Sequence, residues 1–372
     1  MSMRFSMLAL LAVTTMASLG CGGAQNAEVT TVEPPAQASP ALATPPPAAS
    51  APVSGEAAIQ KLAEGALSCG LVDEEIDPDC AGLKAWLDEE ALFEDDEASA
   101  TLLTMLESSE VKRRILAIEK LRTSAIANDK AAVARLAAVA KKETNVLVAR
   151  ALGGAIARAD MKQLGLGDDL RALARHPVSE FRQSLAFYLL RPNQNDVTLQ
   201  VLVTLLRDAD PRVQREAISA LTPTTESTDA VCKLAQDQLD RSDDLAGEAH
   251  KAAATTRCKG IHATVVDSLV GKTADPTKIT NAVGVDYALA LERACNADVG
   301  TDLKKKAFGV AKKLSDAKVP DPNTRRASFH ALMRCDPAAA TNVLGALSKD
   351  KDPFVADAAK KQLDELKAQS NK

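Results

Sequence analysis

The sequence predicts an all-α protein, an α-solenoid of stacked antiparallel helix pairs preceded by a disordered tether. Three observations predict it. A unit with Asp-Pro at its start and Leu eleven residues after the Asp occurs at Asp210–Leu221, Asp321–Leu332 and Asp352–Leu363. Looser copies at Ser108–Ile118, Thr144–Ile156, His176–Leu189 and Ser242–Ala254 extend the series at a spacing of about 31 to 37 residues, the period of an array whose helix pairs bury their apolar faces only against neighbours. Finally, 46% of the 372 residues are hydrophobic but 3% are aromatic, a composition suited to closely packed Leu, Ala and Val helices rather than to sheets.

The first element, residues 1–20, has the layout of a secretion signal. Arg4 gives a basic start, Phe5–Val13 an apolar run, and small residues stand before Cys21. The run is too short to span a bilayer, and no later segment approaches the ~20 uncharged apolar residues that spanning requires. Ser18-Leu19-Gly20-Cys21 resembles the lipobox of bacterial lipoproteins. That resemblance implies that Cys21 receives lipid and becomes the mature first residue, and Gly22 in place of Asp resembles lipoproteins sorted to the outer membrane. Residues 21–55 follow as a tether. Gly22–Gly55 contains seven prolines, many alanines, no Lys or Arg and no aromatic residue, so it has nothing with which to build a core. In partly polyproline conformation, at about 3.1 Å per residue, it reaches on the order of 50 to 100 Å.

Residues 56–100 are predicted to be an acidic helical cap. Asp73–Glu97 holds twelve carboxylates and one basic residue, Lys84, while Leu83, Trp86, Leu87, Leu92 and Phe93 supply an apolar face. Solenoids need such polar-sided ends. DEEIDPD at Asp73–Asp79 lacks the residue order and terminal Glu of a calcium-binding EF-hand loop.

The array itself is predicted over 101–372. In RDADPRVQREAISAL (Arg207–Leu221), Asp210 suits an N-cap and Pro211 the first helical position, where its missing N–H costs nothing. Val213, Ala217, Ile218 and Leu221 then draw one apolar stripe along a helix. Val197–Leu206 before the turn is read as the first helix of the pair, although its Val and Thr would also permit a strand. The Asp-Pro-x-Val start, the alanine-rich second helix and the acidic inter-helix turn resemble HEAT repeats, particularly the short HEAT-like type of phycobilisome lyases, over roughly residues 100 to 367. This resemblance implies second helices that line a concave, protein-binding face. It also implies an Arg after the Val, but Gln214 and Ala356 stand there and only Arg325 retains it, so no continuous Asp–Arg ladder is expected. Lys112, Arg113, Arg182, Arg215, Arg325 and Arg326 follow the Val-equivalents. On the implied concave face they would form a broken basic row for an acidic protein segment, or else pair with acids of the next repeat.

Beyond Cys21, six cysteines remain, Cys69, Cys80, Cys232, Cys258, Cys295 and Cys335, an even number that in an exported chain suggests three disulfides. Fifteen connectivities are open. Local solenoid contacts favour Cys69–Cys80, Cys232–Cys258 and Cys295–Cys335.

No catalytic or metal signature emerges. His176, His250, His262 and His330 are isolated, with no HExxH spacing and no CxxC. Gly271-Lys272-Thr273 lacks the earlier glycine of a phosphate loop, Val266 standing in its place, and no GxSxG occurs. Lys304–Lys306 with Lys312–Lys313 form a basic counterpart to the cap, without the interleaved aromatics of a nucleic-acid surface. At net −5, the sequence reads as a lipid-anchored, non-catalytic envelope scaffold that holds another protein or peptide and needs no cofactor. The alternative is a ligand-binding receptor or enzyme whose site is assembled from distant residues.

Overall fold

The computed structural model describes residues 55–72, 75–93, 96–123, 128–190, 194–222 and 228–370. They belong to one compact unit, Pro52–Lys372. The signal segment, Cys21 and the tether lie outside the described residues, as does part of the acidic stretch.

The described chain is all-α apart from a two-residue antiparallel ladder that pairs Leu71–Val72 with Glu75–Ile76. Helices α1 (Gly55–Leu67) and α2 (Ala81–Asp88) come first, and eight antiparallel pairs follow. They are α3 (Asp96–Leu106) with α4 (Val111–Thr123), α5 (Lys130–Ala140) with α6 (Val146–Arg158), α7 (Gly167–Leu173) with α8 (Ser179–Tyr188), and α9 (Asp196–Leu205) with α10 (Pro211–Ala220). The other four are α11 (Asp229–Asp237) with α12 (Ala246–Thr255), α13 (Ile261–Lys272) with α14 (Asn281–Asn296), α15 (Thr301–Leu314) with α16 (Pro322–Cys335), and α17 (Pro337–Leu347) with α18 (Pro353–Ser370). Each second helix packs on the second helix of the next pair from α4 through to α18, and first helices do the same from α3 to α15. Two layers of like helices result, with the core between them.

The Asp-Pro starts work as read. Asp210 accepts from Arg212 N at 2.8 Å, Asp321 from Thr324 N at 2.7 Å and Asp352 from Phe354 N at 2.9 Å, each followed by Pro at the first helical position. The ambiguous Val197–Leu206 segment is helical because Asn195 and Thr198 close a reciprocal capping box ahead of it. Sequence spacing overlooked one second helix. The copies at Ser242 and Asp321 stand two periods apart, and α14 fills the gap; its N-cap Thr280 makes no side-chain cap bond, while Asp275-Pro276 starts only a short 3-10 turn. The predicted cap boundary at residue 100 also shifts, because it falls inside α3, the first helix of the first pair.

The cap is held by Trp86, fully buried, whose Nε1 donates to Leu116 O at 3.2 Å and whose ring meets Phe93 edge-on at 5.1 Å. Lys120 is 2% exposed; its ammonium donates to Leu87 O and Glu89 O at the C-terminal end of α2 and lies 4.5 Å from the Phe93 ring centre. Burial lowers its pKa against the attraction of Glu90, Glu89 and Asp88. Leu87, expected on the apolar face, is 43% exposed instead.

The three disulfides close as local contacts favoured. Cys69–Cys80 ties the end of α1 to the start of α2, Cys232–Cys258 spans the α11/α12 pair, and Cys295–Cys335 joins neighbouring second helices α14 and α16 across pairs.

The second-helix layer is the tighter one because glycines let backbones touch. A Cβ at Gly153 would run into the Phe181 carbonyl of α8, one at Gly284 into the Thr324 side chain of α16, and one at Gly247 would lie 2.8 Å from Val283 Cα of α14. Gly309, on the outer face of α15, has nothing within 4 Å of the same position. Gly153→Ala should therefore cost about 1–3 kcal/mol through overpacking. Gly309→Ala should be neutral or add up to ~1 kcal/mol from helix propensity. Urea unfolding of the two variants under oxidising conditions checks the contrast, and equal stabilities would contradict the close-approach account.

Candidate interaction surface

Six of the eight pairs turn between their helices through a recurring polar bend. The side chain two residues before the N-cap of the second helix accepts the N-cap backbone N–H: Ser108 from Glu110, Glu143 from Asn145, His176 from Val178, Asp208 from Asp210, Asp243 from Leu245 and Asp350 from Asp352, at 2.7 to 3.2 Å. This fixes the entry angle of the second helix and, in four of the six, parks a carboxylate at the turn.

Those carboxylates are reached from the preceding pair. Arg114 of α4 binds Glu143, Arg182 of α8 binds Asp208 through two bonds of 2.7 and 2.9 Å, and Arg325 of α16 binds Asp350. Arg182 and Arg325 also donate back to their own turns, to His176 O at 2.5 Å and Ser315 O at 3.3 Å. Gln214 keeps the pattern with changed chemistry: it donates to Asp208 O at 2.6 Å and accepts from Arg241, which in turn pairs with Asp243. The ladder is therefore discontinuous, in keeping with the expectation that no continuous one would form. Its acidic partner is not the Asp of Asp-Pro but the residue two before it, as in Asp208-Ala209-Asp210-Pro211 and Asp350-Lys351-Asp352-Pro353. Burial works against ionisation of Asp208 and Asp350, yet the arginine and backbone N–H bonds outweigh it and hold both carboxyls below their ordinary range.

The six residues of the expected basic row divide accordingly. Arg182 and Arg325 point into the stack, their side chains 14% and 6% exposed, and present no free charge. Lys112 donates to Cys69 O at 2.7 Å, and Arg113 donates to Gln60 at 3.0 Å while pairing with Glu110, so both serve the cap. In α4 the residue equivalent to Arg182 is Arg114, one position later than the Val-start register implied. Arg215 pairs with Glu248 of the next second helix at 2.9 Å but keeps half of its side chain in solvent. Arg326 is exposed, with its guanidinium 4.7 Å from the Phe354 ring centre.

From Arg326 an exposed polar stripe continues along α16 through His330 and Arg334, four residues apart and hence on one face. Of the three, only Arg326 was expected in the basic row, and His330 was read as an isolated histidine; the four-residue spacing was available but lay downstream of the Val-start register. Elsewhere on the second-helix surface several polar groups contact a neighbouring second helix. Gln183 meets Glu216 at 3.4 Å, Lys251 meets Asp286 at 2.7 Å and Arg293 caps Lys251 O at 3.1 Å.

Two histidines pack inside the stack. His176 Nε2 donates to Ala140 O at 2.8 Å and its ring lies 4.4 Å from that of Phe181. His250, fully buried, donates from Nδ1 to Ala246 O at 2.7 Å and accepts at Nε2 from Ser268 at 2.9 Å, beneath the Tyr287 ring. Burial drives the His250 pKa down to about 4 and raises that of Tyr287 to about 12. Among the described residues no three His, Cys, Asp or Glu side chains gather closely enough to hold a metal ion. A surface depression between α9 and α11, bordered by Leu206, Leu234, Asp237 and Arg241, is open to solvent.

No family model matches this chain, and no curated protein matches it. Among solved structures it is similar to three engineered proteins. One is 18% identical with a TM-score of 0.39 over 84% of this chain and 95% of its own. The second is 20% identical with a TM-score of 0.26 over 73% and 96%. The third is 16% identical with a TM-score of 0.27 over 74% and 99%.

Two expectations follow from the paired charges and the buried imidazole. Arg182→Met strands a mostly buried carboxylate and should cost about 3 kcal/mol. Adding Asp208→Asn should recover at least ~1 kcal/mol of that loss, a coupling read directly by a double-mutant cycle in urea. For His250, the unfolded chain takes up a proton near pH 6.5 and the folded chain only near pH 4. Its contribution is thus complete above about pH 6.5 and is lost as pH falls toward 4, in total about 3 kcal/mol. His250→Gln should flatten the stability profile across that window relative to wild type; parallel profiles would show that the imidazole does not titrate as its burial requires.

Proposed function

We propose that the protein is an exported, lipid-anchored envelope scaffold whose HEAT-like array holds another protein on its second-helix face, and that it performs no catalysis. The observation that carries this reading is the contrast along that face. Arg215, Lys251 and Arg325 are spent on neighbouring repeats, while Arg326, His330 and Arg334 stand exposed in one line on α16. Such an exposed basic stripe suits an extended acidic segment, because a guanidinium binds a carboxylate through two parallel bonds.

Export and anchoring are supported by Met1–Gly20, the small residues before Cys21 and the Pro/Ala-rich Gly22–Gly55. Three disulfides accord with an oxidising compartment, and no described helix is long and apolar enough to cross a membrane. Lipid at Cys21 would then be the attachment and the tether its spacer, with the outer membrane as destination.

The two halves of the proposal are tested separately. Cys21→Ser should move the protein from the membrane fraction to the soluble fraction, and sedimentation with salt-washed membranes would refute anchoring at that residue. Arg326→Glu with Arg334→Glu should lower capture of the native envelope partner about tenfold or more, with larger losses at low salt. Lys233→Glu, on the opposite layer, should leave capture unchanged. If the folded double variant captures its partner as well as wild type does, the α16 stripe is not the binding surface.

A further inference from the structure

Some first helices are joined to the next by ion pairs: Arg135 of α5 with Glu107 after α3, Lys141 after α5 with Asp169 of α7, and Lys306 of α15 with Asp267 of α13. The remaining lysines of α15 are different. Lys305, Lys312 and Lys313 are exposed on its outer face around the open Gly309, and among the described residues none has an acidic partner. The reason lies in the next first helix. α17, PAAATNVLGAL, contains no carboxylate and indeed no charge, so the next first helix offers these lysines no acidic partner. Leu303–Lys318 carries six lysines against the single Asp316.

The opposite imbalance stands at the other end, where Asp73–Glu97 carries twelve carboxylates against Lys84. Asp88 and Glu90 are exposed there together with the apolar Leu87, and the exposed Asp79 takes up Lys84 at 3.0 Å. Six helix pairs lie between α2 and α15, and with neighbouring helix axes 8–10 Å apart the two patches are separated by about 60 Å. That is many times the ~8–10 Å over which charges feel each other in physiological salt. The two excesses therefore cannot neutralise one another within a chain.

We propose that the lysine face of α15 docks the acidic cap of a second copy of this chain, head to tail. The contact is heterologous, so each bound copy again presents a free cap and a free lysine face, and assembly proceeds into open rows rather than closed dimers. Copies confined to one membrane surface would meet at raised effective concentration. This inference rests on the stack and its charges alone and stands whether or not Cys21 is lipidated.

Sedimentation velocity of the purified full-length protein in non-ionic detergent tests it, at about 20 mM and about 300 mM salt. At low salt the mean mass should rise with protein concentration beyond a dimer, and the apparent dissociation constant should increase tenfold or more at high salt. A variant carrying Lys305→Glu, Lys312→Glu and Lys313→Glu should be monomeric, as should one carrying Asp79→Lys, Asp88→Lys and Glu90→Lys. Mixed in equal amounts, the two reversed variants should associate with each other. All six side chains are exposed, so the lysine-face variant should melt as wild type does, whereas the cap variant loses the attraction of Asp88 and Glu90 for the buried Lys120 and its fold is checked by its melt. If either unfolds, the single changes Lys312→Glu and Glu90→Lys make the same comparison with a smaller shift. A wild type that stays monomeric throughout, association that survives either reversal, or a mixture that fails to associate would each overturn the proposal. So would lysine-dependent binding to phosphatidylglycerol vesicles without self-association, which would assign the face to an anionic lipid surface instead.

Discussion

Everything in this fold depends on how closely one second helix can approach the next. A single helix pair has too little apolar surface to stay folded alone, and its stability comes from the neighbours on either side. Gly153 and Gly247 remove the side chain where the next backbone passes and Gly284 does so where the Thr324 side chain packs, and Ala-rich surroundings keep the rest of the contact flat. Once the backbones touch, the inter-helix turns of successive pairs are brought into register. Only then can a guanidinium on one pair reach a carboxylate held by the turn of the following pair. The ladder is thus a result of close packing, and it in turn resists any slip of one pair against another, because a slip would strand a partly buried charge.

Much of this was legible in the sequence, for reasons that differ by element. Helices that start at Asp210, Asp321 and Asp352 could be read because a cap and an N1 proline act within four residues. The disulfide pairing could be read because an array makes only short-range contacts. α14 could not, because Thr280 gives no cap signal and Asp275-Pro276 offers a false one nearby. The fates of Arg182 and Arg325 were hidden for another reason. Whether an arginine after the first core residue faces solvent or the stack is decided by an acid some 25 residues later, and helical periodicity does not report on it. Lys120 is a similar case: a lysine amid an amphipathic helix reads as surface, and only the open carbonyls at the end of α2 explain its burial.

The same pairing rule clarifies what is left over. Exposed basic groups without an acidic partner include Arg326 and Arg334 on α16 in one layer and Lys305, Lys312 and Lys313 on α15 in the other, while Asp88 and Glu90 are exposed at the end of α2. A chain that is only mildly acidic in total thus carries a pronounced end-to-end polarity.

The disulfides distribute unevenly along this body, and that has a mechanical consequence. Cys69–Cys80, Cys232–Cys258 and Cys295–Cys335 make the segments they enclose inextensible. Between Cys80 and Cys232 lie α2 to α10 with no covalent tie, whereas the stretches after Cys258 and after Cys335 are short. A pull applied between α1 and α16 would be taken up first by that middle stretch. Its pairs could peel apart one at a time and close again, while the clamped segments would keep their shape. The molecule is therefore built as a compliant spring in series with stiff ends, and the tension at which it yields is set by the helix pairs from α3 to α10.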